Sequence, residues 1–295
     1  MSLKVELTPG AMTDIWVLER QPTFEQYYTR YGDEIAERYE RGTVIVVPFL
    51  PIQCDLEFLQ SVTFPKSMKK AGVVNGLDRD LLTRNADEVG WNPQHVLNQA
   101  LGAGPKTLYL YDQIVHVNQQ VRIGLRQLFP RYFGLKELNL TWRFTQTENE
   151  VMHYDGYPSQ GLNKAMHWLR IKFFINVDSL PRVWRVSHHL SHVLTTCFDP
   201  RLDPMPTDIN TVNTLIGTTD VLFKEPAHRI EWPAMAAVFA NGDATAHEVV
   251  FGRRAIGGDF AVPTQEMLLP EHQLERQLPK WLDARERARQ GLQFS

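Results

Sequence analysis

Between residues 138 and 263 the chain is a succession of short apolar segments: LNLTWRFTQ (138–146), NEVMHYD (149–155), WLRIKFFINV (168–177), AAVFAN (236–241), TAHEVVF (245–251) and AIGGDFAVP (255–263). Turn-forming residues separate them. Segments of this length, rich in β-branched and aromatic residues, read as strands, and several in succession point to an antiparallel barrel or sandwich. In WLRIKFFINV, Leu169, Ile171, Phe173, Ile175 and Val177 share one face, and Arg170, Lys172 and Asn176 share the other. Such a cationic-amide face lines an anion pocket or faces water, and alternation alone leaves both open.

The remainder supports this β core. Residues 23–41 read as a helix, with Thr23 and Gln26 at capping-box spacing and Gly42 just past the end. TVIVVPFLP (43–51) reads as a strand stopped by prolines. The spacing of Val115, Val121, Leu125 and Phe129 predicts a helix over 115–129. Residues 188–230, rich in Asp, Pro and Thr, read as a lid or binding loop. FGRR (251–254) reads as a turn, and EHQLERQLPKWLDARERARQ (271–290) as a charged helix packed on the surface. The expected organisation is one domain over 1–295: a helical part to about 135, a β core from about 136 to 265, and a C-terminal helix over about 270–291. The expected fold class is α+β, mainly β.

Composition sets the limits. The 295 residues suffice for a sizeable core, and 43% hydrophobic with 22% charged is ordinary for a soluble globular protein. A net charge of −3 does not point to nucleic acid, whose binders are usually basic along one face. Cys54 and Cys197 cannot build a disulfide framework or a four-thiolate site, which favours a reducing compartment. The first twenty residues carry no apolar leader, and no stretch is long and apolar enough to span a membrane. The expected partner is a small molecule, the expected location is the cytoplasm, and a homo-oligomer is compatible with the sequence.

His153 and Asp155 stand two apart on a strand-like segment, where positions i and i+2 share a face. With 10 histidines and 34 acidic residues in 295, chance alone gives about one such pair, so the spacing by itself discriminates nothing. His247, on a strand far downstream, is the residue that barrel closure would add. Two imidazoles and a carboxylate on one face of an octahedron leave three positions open, the facial triad of non-haem iron(II) oxygenases. His167, His188, His189, His192 and His228 are rival ligands; His188 and His192 have the i, i+4 spacing of one helical face. A 2-oxo diacid such as 2-oxoglutarate also needs a cation for its far carboxylate, preferably arginine with its planar fork. Arg143, Arg170, Lys172, Arg253 and Arg254 are the candidates, with Asn176 on the same face as Arg170 and Lys172. About ten residues after His247, where such an arginine often stands, this chain has Gly257.

HYDGYPS (153–159), LRIKFFINV (169–177), PRVWR (181–185), HEVVFGRRAIGGDFAVP (247–263) and ERGTVIVVPFLP (40–51) together resemble the Kdo 3-hydroxylase family, which acts on a sugar acid of lipopolysaccharide. The most specific parts are PRVWR and the spacing of His247, Gly252, Phe260 and Pro263. The resemblance implies a double-stranded β-helix of the jelly-roll or cupin-like kind, with iron(II) held by His153, Asp155 and His247. It also implies 2-oxoglutarate and O₂ as co-substrates, hydroxylation of a small polar substrate, and Arg143 as the co-substrate's anchor. The connection from Arg143 to His153 is shorter than in the family, and Gly156 and Tyr157 depart from its pattern. Arg170, Lys172 and Arg185 are candidates for an anionic substrate, and Trp142 and Trp184 for shaping the pocket. Two other classes use similar parts: a cupin-type metal-dependent hydrolase or isomerase, and a non-enzymatic barrel that binds a sugar acid.

Overall fold

The computed structural model describes residues 2–64, 71–73, 97–98, 100–102, 104–155, 168–223 and 225–293. Its strands are β1 (Lys4–Glu6), β2 (Ile15–Val17), β3 (Val44–Val47), β4 (Ala71–Val73), β5 (Lys136–Glu148), β6 (Trp168–Asn176), β7 (Arg182–His189), β8 (His228–Trp232), β9 (Ala237–Ala240) and β10 (Thr245–Pro263). Its α-helices are α1 (Phe24–Tyr31), α2 (Glu34–Glu40), α3 (Leu56–Ser61), α4 (Pro105–Leu128), α5 (Leu190–Thr196), α6 (Ile209–Gly217) and α7 (Leu274–Gln293).

β10 organises the rest. Its first part pairs with β7, and its second part runs between β5 and β6. One sheet therefore reads β4-β5-β10-β6-β9-β3-β2 and the other β10-β7-β8-β1. All pairings are antiparallel except β2 with β3. The two sheets face each other across Val46, Phe174, Val238 and Ala255 on one side and Trp184, Val186, Ile230, Trp232 and Val249 on the other. Phe174 meets Trp184 edge-on at 5.1 Å between ring centres.

Alternation along β6 decides which side chains reach this interior. Ile171, Phe173 and Ile175 point outward into the core shared with the N-terminal helices. Arg170, Lys172, Phe174 and Asn176 point inward, and the three polar ones are at most 8% exposed. The open choice between a pocket and water thus resolves to the interior. Helix α4 covers the outer face through Leu110, Ile114, Val117, Val121, Leu125 and Leu128, at three- and four-residue steps. Its Asn118 accepts a hydrogen bond from the Trp142 indole at 2.9 Å, so Trp142 belongs to that outer core and not to the interior.

Several expectations need correction. The helix over 23–41 is two helices broken at Gly32, although Thr23 does accept a hydrogen bond from the Gln26 N–H, and Gly42 does adopt a positive φ of 91°. The part expected to be helical, up to about 135, also gives β1, β2 and β3 to the sheets. Residues 188–230 are not a loop. They hold α5, α6 and the start of β8, with His189 and Asp208 capping the helices and Leu194, Ile209, Val212 and Ile216 packed beneath α7. The polar residues that suggested a loop sit at caps and on outer faces. FGRR is strand, not turn, because Arg253 and Arg254 both pair with the buried Asp178 at 2.6 and 2.7 Å, which holds the chain extended through this irregular register. Among the described residues no helix is long and apolar enough to cross a membrane.

Candidate metal centre

His153 and His247 face each other through an antiparallel bridge. The His153 N–H donates to the His247 carbonyl at 3.1 Å, and the His247 N–H returns a bond to the His153 carbonyl at 3.0 Å. Residues directly opposite across such a pair point their side chains the same way, and the two rings lie 4.7 Å apart. The segment 149–155 is therefore not the strand expected: it meets β10 through this bridge and through the Asn149 and Glu150 N–H groups, which donate to the Val250 and Val249 carbonyls at 3.2 and 2.9 Å. Met152 and Tyr154 do pack behind, in the core beneath α5, α6 and α7. Asp155 follows, its N–H donating to the Gly242 carbonyl at 2.8 Å and its own carbonyl accepting from Asn213 of α6 at 2.8 Å.

Among the described residues this is the one group of three potential metal ligands whose ligand atoms all lie within 4.8 Å of one another. His153 Nε2 is 3.8 Å from one Asp155 oxygen, and His247 Nε2 is 3.8 Å from the other. Two bonds of about 2.1 Å to a shared ion span up to about 4.2 Å, so these separations suit a common metal. The imidazoles are also set for ligation. His153 Nδ1 lies 2.6 Å from the Val151 carbonyl and His247 Nδ1 2.9 Å from the Thr245 carbonyl. A carbonyl only accepts, so each Nδ1 carries the hydrogen and each Nε2 keeps its lone pair, as a metal ligand requires. Burial, reinforced by the nearby Lys172 ammonium, pushes His247 down to about 3, so its ring is neutral. Burial opposes ionisation of Asp155, but Lys172 and Arg170 hold its carboxyl well below the usual range.

The His247 shift predicts a pH effect. A ring kept neutral in the fold stabilises it above the unfolded value near 6.5, and that contribution drains away as pH falls towards 3. In metal-free buffer, lowering pH from 7 to 5 is expected to cost the wild type on the order of 2 kcal/mol more than His247→Gln. Urea unfolding at the two pH values measures this; equal losses would refute it.

The cavity above the three ligands is small and deep, lined by Arg143, Glu150, Lys172, Phe174, Trp184 and Val249 together with the ligands. Arg143 lies over the Phe174 ring at 4.8 Å. Lys172 reaches Asp155 at 2.5 Å and His247 Nε2 at 3.2 Å. Arg170 lies beside the centre, 3.8 Å from Asp155, but its guanidinium is engaged by Asp243 at 2.9 Å and Asp259 at 2.7 Å. It is a strut under the ligand. Asp243 belongs to this strut, and burial pushes its carboxyl up to about 6 although Arg170 faces it.

Two candidates fall outside. Asn176 donates to the Leu180 and Trp232 carbonyls and accepts from the Asp178 N–H, so its amide is consumed by the turn after β6. Arg254 binds the Val62 carbonyl, Thr63 and Asp178. Arg185 points away too, pairing with Glu248 at 2.8 Å on the opposite face of β7. The rival histidines have structural work. His188 lies between the Met12 N–H and Glu225, and His228 between the Thr8 N–H and the Thr13 carbonyl. His189 caps α5, while His192 stacks on His188 at 4.4 Å. His167, Gly156 and Tyr157 lie outside the described residues.

Two residues escaped the sequence reading. Arg182 lies over the Phe174 ring at 4.9 Å and is 1% exposed. Its Nε and Nη2 have no hydrogen-bond partner among the described residues, and burial, with Arg143 nearby, pushes it down to about 9. Alternation with Trp184 was its available signal. Gly242 lies under Asp155, where a Cβ would stand 1.9 Å from Oδ2. Its signal was Asn241-Gly242-Asp243, a turn between two strands.

The two facing sheets, bound together by a strand shared between them, define a double-stranded β-helix in which His153, Asp155 and His247 form a group that could hold a metal ion. No protein-family model and no curated protein sequence matches the chain. Solved structures do. The chain superposes with a TM-score of 0.62 on crystal structures of a Kdo hydroxylase described as a non-heme Fe(II) α-ketoglutarate-dependent dioxygenase. One of these holds α-ketoglutarate and Fe(III) and another cobalt(II), each at 17% identity over 92% of this chain and 96% of that chain. A third, with succinate and Fe(III), stands at 18% identity with the same coverage. At this identity the likeness establishes the fold.

Proposed function

We propose that this protein is an iron(II)- and 2-oxoglutarate-dependent oxygenase that hydroxylates an unactivated C–H bond of a small polar substrate of the sugar-acid class. The observation that carries the reading is the pair of imidazoles, each with Nδ1 tied to a backbone carbonyl and Nε2 turned toward one buried carboxylate, below a cationic cavity. The solved structure with α-ketoglutarate and Fe(III) on the same fold supports the choice of metal and co-substrate.

His153, Asp155 and His247 would hold the iron. With 2-oxoglutarate bound, the iron centre supplies an oxidant strong enough to take hydrogen from carbon, with succinate and CO₂ released. The chain's own residues position and protect. Arg143 presents a fork to the far carboxylate of the co-substrate. Phe174, Trp184 and Val249 wall the cavity and keep water from it. Arg182, over the Phe174 ring, adds positive potential that favours a dianion. Cytoplasmic location and a small-molecule partner remain part of this proposal.

The test is succinate formation from 2-oxoglutarate under O₂, with iron(II) added to chelated protein, across a panel of sugar acids and other small hydroxy acids. A hydrolase, an isomerase or a binding barrel would form no succinate and consume no O₂. Arg143→Leu is expected to raise the half-saturating 2-oxoglutarate concentration by about a hundred-fold, the worth of a lost bidentate charged pair. An unchanged requirement would move the anchor to Arg182.

A further inference from the structure

Lys172 stands in an unusual place for a lysine. Its ammonium is 2.5 Å from Asp155 Oδ2 and 3.2 Å from His247 Nε2, in contact with two of the three ligands at once. His247 Nδ1 is turned to the Thr245 carbonyl, so Nε2 has a single lone pair, and here that lone pair faces the lysine. A metal on Nε2 and an N–H from Lys172 to Nε2 are mutually exclusive. The lysine's backbone is held: its N–H donates to the Tyr39 hydroxyl at 3.0 Å, and that hydroxyl donates to the Arg170 carbonyl at 2.8 Å. Any yielding must therefore come from the four-carbon stem. Nζ already lies over the Phe174 ring at 5.5 Å, and Lys172 lines the cavity, so a short swing of the stem takes the ammonium off the ligands and into that space.

We propose that Lys172 is an internal competitor for the metal. It neutralises Asp155 and occupies His247 in the conformation seen here, and metal binding must expel it. The expelled ammonium then faces the cavity and adds a positive charge for an incoming carboxylate, which couples loading of the metal to binding of the acid. This rests on the metal-centre reading above. A competitor present in the same molecule lowers the apparent affinity by the fraction of time it holds the site.

The experiment is titration of the full-length, chelator-stripped protein with cobalt(II), followed by its visible absorption, for wild type, Lys172→Met, Lys172→Gln and His153→Ala. Removing the ammonium is expected to tighten cobalt(II) binding by about ten- to a hundred-fold, the worth of one to two charge-assisted hydrogen bonds. A lysine that merely braces the ligands predicts the reverse, weaker binding, and equal or weaker binding in the two Lys172 variants overturns the proposal. A second measurement needs no variant. Acylation of Lys172 in the wild type by a small activated ester, which transfers its acyl group to the amine and releases its alcohol, is read by peptide mass spectrometry and is expected to rise as cobalt(II) saturates the protein. Labelling that stays flat or falls overturns the proposal as well. Failure of the underlying reading looks different: wild type and His153→Ala would then bind cobalt(II) equally poorly.

Discussion

Replacing His247 by alanine is expected to abolish iron-dependent succinate formation and to weaken metal binding by more than about a hundred-fold, while the protein stays folded. The ring is 2% exposed, neutral, and packed between Trp184 at 5.2 Å and His153 at 4.7 Å. Its loss leaves a cavity that costs about 2–3 kcal/mol, which lowers the melting temperature but does not unfold a chain of this size. The bridge to His153 uses only backbone atoms and survives the substitution. A circular dichroism spectrum matching wild type, together with a flat cobalt(II) titration, would show that the ligand and not the fold was lost. Full succinate formation in the folded variant would remove His247 from the centre, and the oxygenase reading with it.

Gly242→Ala is expected to do comparable damage through a residue that ligates nothing. The added methyl would stand 1.9 Å from Asp155 Oδ2, 2.9 Å from its carboxyl carbon and 3.2 Å from the His247 ring. Neither neighbour can yield freely. The Asp155 backbone is bonded to the Gly242 carbonyl and to Asn213, and its carboxylate is held by Lys172. The carboxylate must turn away from both imidazoles, and metal affinity should fall by about a hundred-fold or more, as when an orienting contact is removed. The rest of the fold has little reason to change, because Gly242 lies in the turn between β9 and β10 and pairs with no strand. Metal affinity within three-fold of wild type would mean that Asp155 is free to move and that the turn does not set its position.

Both experiments turn on features that differ in how far a sequence can reveal them. The strands over 138–146, 168–177 and 236–241 are local: alternation and β-branched residues specify them. Membership of His153, Asp155 and His247 in one cluster came from residue chemistry and from a family resemblance, not from spacing, since chance gives as many His-x-acid pairs as the chain contains. The inward face of Arg170 and Lys172 was written in the period of β6, but its burial was not, because an alternating strand looks the same beside water and beside a second sheet.

What the sequence determined by itself is therefore the mainly β character, the strand faces and the inventory of groups able to bind metal and carboxylate. Tertiary structure decided which of them meet. It spent Arg254 and Asn176 on Asp178 and the turn beside it, turned Arg185 outward, and buried Arg182 against Phe174. It also brought Lys172 onto the ligands and left Gly242 no room for a methyl group. The reason is that secondary structure depends on neighbours a few residues away, whereas most of these contacts join distant parts of the chain, such as Arg254 with Asp178 and Arg185 with Glu248. They are set by how one long strand is shared between two sheets, and no local pattern records that.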